Sequence, residues 1–205
     1  MKNNFYIIFV LFCLLAGCVA QSVPPVDIYT ISPEWADTIA QGEREKKSLF
    51  IIQLAPMHAT RALKGTEILY TDTQYGWNSY AYSRWNDAPV QLLQMVFQVA
   101  MEKNDLFKAV VPPTYVSEAD LLLESTLLDL SHHIKDDETS EGVVRVRFYL
   151  INNTTKTVTS TKEFISRVTV VTQNAQGAVK ALNKAAANVA RDLVAWLAEP
   201  GRIET

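Results

Sequence analysis

Between Gly142 and Ile151 the chain alternates with a period of two: Val144, Val146, Phe148 and Leu150 fall on one side of a pleat, Arg145, Arg147 and Tyr149 on the other. Such a segment is stable only as a strand with one covered and one wetter face, which implies an antiparallel sheet. Asn152-Asn153-Thr154-Thr155 then supplies turn chemistry, and Thr157 to Thr172 is again rich in β-branched residues, so the pair is expected to form a hairpin. The cover for the apolar face comes next in the chain. Ala175, Val179, Leu182, Ala186, Val189, Leu193 and Trp196 recur every three or four residues, the seam of an amphipathic helix. Asn174 stands where a cap is needed, Pro200-Gly201 ends the helix, and small alanines allow it to lie close on its own sheet.

The first half carries the same two periodicities. Leu49 to Leu54 is a short apolar run stopped by Pro56, suited to a buried strand. Thr66 to Tyr70 and Ser79 to Ser83 are predicted to form a hairpin with a longish loop holding Asp72 and Gly76. Asn86-Asp87-Ala88-Pro89 reads as a helix start, with Asn or Asp as cap and proline in the first turn. Leu93, Val96, Phe97 and Ala100 give that helix an apolar stripe, and it is expected to end near Lys103-Asn104. Leu106 to Val111 is a predicted strand stopped by Pro112-Pro113, and Ala119 to Ser131 a Leu-rich strand whose composition also suits a helix. Its position ahead of two strands favours strand. Tyr29 to Ile31 is a first short strand, and Ser32 to Lys47 a polar link. The expected fold is α/β: a single domain with a mainly antiparallel β-sheet and two main helices packed on one face.

The N-terminus bears on location. Lys2 precedes an apolar run from Phe5 to Ala16, and the run ends in Leu15-Ala16-Gly17-Cys18. About a dozen apolar residues are too few to cross hydrocarbon, which takes about 20. The layout is that of a secretory signal peptide with a small-residue cleavage site. With cysteine in that place, Leu15, Ala16, Gly17 and Cys18 resemble the lipobox of bacterial lipoproteins. The resemblance implies that the Cys18 thiol receives a diacylglycerol and becomes the mature N-terminus; the plainer alternative is ordinary cleavage with an incidental thiol. Two or three acyl chains, at about 0.8 kcal/mol per buried CH₂, hold a protein on a bilayer essentially permanently. Residues 1–17 are then signal peptide, 18–27 a lipidated tether stiffened by Pro24-Pro25, 28–200 the domain and 201–205 a tail.

Composition narrows the chemistry. Of two cysteines, Cys13 lies in the discarded segment and Cys18 is acylated, so the mature chain offers no disulfide, CxxC pair or cysteine zinc site. Loss of Lys2 takes the formal net charge from −3 to −4, and no basic stripe marks a nucleic-acid surface. No GxSxG, HExxH, phosphate loop or GxGxxG occurs, so the expectation is a non-enzymatic protein with no catalytic residue and no cofactor. His132-His133 beside Asp136-Asp137-Glu138 is the one cluster that invites a metal. Adjacent strand residues point to opposite faces, so a solvated, charge-rich turn is expected there and no metal site.

Three further stretches act together: Arg61-Ala62-Leu63-Lys64-Gly65-Thr66-Glu67-Ile68-Leu69-Tyr70, Tyr80-Ala81-Tyr82-Ser83-Arg84-Trp85, and Ala88-Pro89-Val90-Gln91-Leu92-Leu93-Gln94. With the opening Tyr29-Thr30-Ile31, the pair Ala119-Asp120 and the closing Ala-rich helix, they resemble the auxiliary lipoprotein family of ABC-type transporters. That resemblance implies a periplasm-facing accessory lipoprotein of an MCE-linked lipid transport system. Its implied partners are MCE-domain and ABC transporter subunits, phospholipid, and the lipid bilayer through acylated Cys18. Val19 after the cysteine, where an aspartate would signal inner-membrane retention, points to the inner leaflet of the outer membrane. The alternatives are an envelope-assembly lipoprotein binding a β-barrel or peptidoglycan partner, and a lipid carrier with its own cavity between sheet and helices. Tyr80, Tyr82 and Trp85 have two readings: aromatic packing that locks strand to helix, or a surface for a partner or an acyl chain.

Overall fold

The computed structural model describes residues 24–34, 48–72, 75–114, 118–135 and 139–201. The strands are β1 (Asp27–Tyr29), β2 (Ile51–Leu54), β3 (His58–Ala59), β4 (Glu67–Thr71), β5 (Asn78–Trp85), β6 (Ala109–Val111), β7 (Leu121–Ile134), β8 (Ser140–Asn152) and β9 (Thr157–Thr169). Two α-helices complete the domain, α1 (Pro89–Lys103) and α2 (Ala175–Leu197), with a short 3₁₀ turn at Arg61–Leu63. No helix among the described residues is long and apolar enough to cross a membrane.

Strand β7 is the axis of the sheet. Along one edge it pairs antiparallel with β8 from Leu121↔Asn152 to Ile134↔Ser140, and β8 pairs antiparallel with β9. Its other edge is covered by three parallel pieces of the first half, β2, β3 and β4 in succession. That division follows from the sequence between them, where Pro56 and the turn at Arg61–Leu63 break any continuous strand. Beyond β4 lie β5 (antiparallel) and β1 (parallel); β6 runs parallel to β2. The sheet is therefore mixed: the longest ladders are antiparallel, while the shorter pieces of the first half run mostly parallel to their neighbours.

Both helices cover the face that β8 presents through Val144, Val146, Phe148 and Leu150, all buried. A chain of aromatic contacts ties the layers together: Phe97 of α1 meets Phe148 edge-on at 5.2 Å, Phe148 meets Phe164 of β9 at 6.0 Å, and Phe164 meets Trp196 of α2 at 6.1 Å. Each such buried side chain contributes about 1.5–3 kcal/mol through burial. All seven seam residues of α2 are buried. Asn174 caps the helix, its side-chain oxygen accepting from the Gly177 N–H at 2.9 Å. Close approach to the sheet is made at Gly142, where a Cβ would stand 2.9 Å from both Ala181 Cβ and the Leu182 nitrogen.

Four local expectations are corrected. The first strand lies two residues earlier, at β1, with Ile31 a buried residue after it. The helix α1 begins with proline at its first position, but its N-cap is Ala88; Asp87 accepts the Ala88 N–H at 2.6 Å instead of capping the first turn. Strand β6 starts only at Ala109, because Leu106 and Phe107 are spent on the core. Strand β7 extends past Ser131 to Ile134, so His132 and His133 lie on a strand and not in a solvated turn; the acidic residues 136–138 are outside the described residues.

Candidate functional site

The β4–β5 hairpin carries the aromatic residues singled out in the sequence. Its ladder runs Tyr70↔Asn78 and Leu69↔Ser79, then shifts so that Glu67 stands opposite Arg84, where an unbroken register would place Ala81. This shift separates the two tyrosines in role. Tyr80 is half-buried: its ring lies 5.1 Å from that of Tyr70 and stacks on His132 at 6.3 Å. Its hydroxyl shares a hydrogen bond of 2.7 Å with His132 Nδ1. Tyr82 is 48 % exposed. Trp85, at 1 % exposure, belongs to the core beneath, so a surface made of all three aromatics does not exist. Alternation explains the split at the end of the strand, since Ser83 and Trp85 face inward while Tyr82 and Arg84 face outward.

Electrostatically the Tyr80–His132 pair is neutral. Burial pushes the Tyr80 hydroxyl up to about 12. Burial, with a smaller contribution from neighbouring His133, holds the His132 imidazole below its ordinary value. His132 Nε2 has no partner, and His133 is engaged elsewhere, its Nε2 2.8 Å from Asp129 Oδ2. The two imidazoles thus serve different neighbours. Among the described residues no group of three or more His, Cys, Asp or Glu side chains is gathered to hold a metal.

Two open clefts flank this region and α2. One, of about 700 Å³, is lined by Arg61, Lys64, Glu67, Trp77 and Asn78 at the hairpin. The other, of about 580 Å³, separates Thr30–Glu34 from α2, with Lys180 and Lys184 on its wall. Asn183 staples this cleft: its side chain accepts the Ser32 N–H at 2.8 Å and donates to the Thr30 carbonyl at 3.1 Å. Nothing in the sequence singles out Asn183: it is one of three amides in this helix, with Gln176 and Asn188, and only the fold brings it to Thr30 and Ser32. Leu15, Ala16, Gly17 and Cys18 lie outside the described residues.

The family profile of the ABC-type transport auxiliary lipoprotein component matches residues 29–194, from the end of β1 almost to the end of α2. The chain belongs to this family. The auxiliary lipoprotein fold recurs in the crystal structure of protein XCC0632 from Xanthomonas campestris, at a TM-score of 0.71 and 16 % identity, covering 83 % of this chain and 94 % of that one. The hypothetical protein CT253 from Chlamydia trachomatis is similar at a TM-score of 0.52 and 8 % identity, over 73 % of this chain and 96 % of its own. At these identities the likeness is one of fold. No curated protein matches the sequence. Membership makes the protein an envelope lipoprotein associated with an ABC-type transport system.

Proposed function

We propose that the protein is a non-enzymatic accessory subunit of an MCE-linked lipid transport system, anchored through acylated Cys18 on the inner leaflet of the outer membrane and facing the periplasm. The observation that carries this reading is the family match over residues 29–194, preceded at a short distance by the lipobox-like Leu15-Ala16-Gly17-Cys18. An accessory role suits the interior better than a carrier role. Where a lipid cavity between sheet and helices would lie, Phe97, Phe148, Phe164 and Trp196 are in ring contact. Contact with partners then falls to the surface, and of the three aromatics named from the sequence Tyr82 is the one that presents its ring there.

The test is purification of the native lipidated protein from membranes in mild detergent, with identification of co-purifying chains and lipid. Co-purification of MCE-domain and ABC subunits is the expected result. Recovery with a β-barrel or peptidoglycan alone would replace this reading with envelope assembly, and stoichiometric phospholipid on the isolated protein would replace it with a carrier.

A further inference from the structure

Strands β1 and β5 run parallel with Asp27↔Ser83, Ile28↔Arg84 and Tyr29↔Trp85 as partners. Paired residues of a parallel ladder point to the same side, so Ser83 and Trp85 turn inward with Tyr29, and the alternate residues turn outward. Val26 precedes the first pair of the ladder, and the same register continued by one step would set it beside Tyr82. The outward face therefore collects Val26, Ile28, Tyr82 and Arg84, with the apolar members 39 %, 60 % and 48 % exposed in chain order. Two aliphatic side chains, a phenol and a guanidinium form the kind of surface that sits at a membrane interface: apolar bodies toward the acyl boundary, the hydroxyl and the cation toward phosphate headgroups. Glu67, across from Arg84 on β4, bounds the patch on the side away from β1.

The position of this patch in the chain identifies its occupant. Eight Cα-to-Cα steps separate Cys18 from Val26. Even fully extended they reach about 28 Å, and Pro24-Pro25 makes part of that reach stiff rather than coiled. A chain held at Cys18 thus keeps this edge of the sheet within one tether length of the bilayer.

We propose that the outward face of the β1–β5 ladder, carrying Val26, Ile28, Tyr82 and Arg84, rests on the lipid surface that holds Cys18. The contact orients the domain, with the β1 edge toward the membrane and the far side of the sheet toward the periplasm. This inference rests on acylation of Cys18.

The experiment uses the full lipidated chain in vesicles of phosphatidylethanolamine and phosphatidylglycerol containing a headgroup-nitroxide lipid. The mature protein has no free thiol once Cys18 is acylated, so Tyr82→Cys and, as control on the opposite edge strand β9, Val158→Cys each carry one fluorophore. Flotation with the vesicles reports the anchor independently. The expected result is loss of fluorescence at position 82, none at position 158, and recovery at 82 when Ile28→Asp is added. Protein that floats but shows equal quenching at the two positions overturns the contact and leaves the anchor standing. Quenching at 82 that survives Ile28→Asp also overturns it, because the fluorophore alone then inserts. Protein that fails to float removes the anchor, and the contact with it.

Discussion

The Tyr80 hydroxyl lies 2.7 Å from Nδ1 of His132, an imidazole with no exposed surface and no second partner for Nε2. This bond crosses from β5 over β4 to the end of β7, tying the aromatic hairpin to the axis of the sheet. It also spares His132 from being left in the interior with both ring nitrogens unpaired.

Two outcomes follow for this pair. Tyr80→Phe removes the partner, and a buried polar group left unsatisfied costs about 1–3 kcal/mol, which the urea midpoint of the mature protein reads. The pH dependence has a fixed sign. Because His132 titrates below its ordinary value of 6.5 when folded, the unfolded chain binds the proton first as pH falls. Its contribution is complete above about pH 6.5 and is lost on acidification below it, so the urea midpoint falls with pH there and falls less in His132→Gln.

Trp85 and Tyr82 divide core from surface. Trp85→Ala opens a cavity under β5 and is expected to cost about 3–5 kcal/mol. Tyr82→Ala removes an exposed ring and is expected to stay within about 0.5 kcal/mol. Thermal unfolding of the two variants, measured side by side, checks the assignment; equal destabilisation would contradict it.

Gly142 sets the distance between α2 and the sheet. The extra methyl of Gly142→Ala meets Ala181 and the backbone of Leu182, neither of which is the end of a flexible side chain. Overpacking of this kind costs about 1–3 kcal/mol. The readout is the unfolding midpoint, and unchanged stability would mean the helix is free to lift.

Asn174 is the cap of the helix that covers the sheet. Asn174→Ala removes its bond to the Gly177 N–H and is expected to lower stability by about 0.5–2 kcal/mol, with Asn174→Ser recovering most of the loss. Chemical denaturation of the pair tests this, since a helix-propensity effect alone would favour alanine over serine.

The parts legible in the sequence are those written as long, single-period patterns. Val144 to Leu150 alternates over a full strand, and the α2 seam repeats over six turns, so the hairpin and its covering helix are predicted with ends close to those observed. The parallel pieces along β7 are not legible. His58–Ala59 has two residues, too short for any period, and its pairing is set by where the long strand lies. The different roles of Tyr80 and Tyr82 are not legible for a related reason: strict alternation would put residues two apart on one face, and the register shift between β4 and β5 breaks it. The burial of His132 is not legible because its neighbours in sequence are charged, whereas its neighbours in space are Tyr80 and the close-packed Gly142, which stands opposite it on β8. The outward patch of Val26, Ile28, Tyr82 and Arg84 joins residues more than fifty positions apart, and only the β1–β5 pairing brings them together.

The account rests on the modification at the start of the mature chain, and mass spectrometry of the N-terminal peptide of the native protein tests it most directly. The predicted result is a chain beginning at Cys18 with a diacylglyceryl thioether, and unprocessed precursor in Cys18→Ser. A free Cys18 thiol in the native protein, or normal cleavage and release of the Cys18→Ser variant, would contradict it.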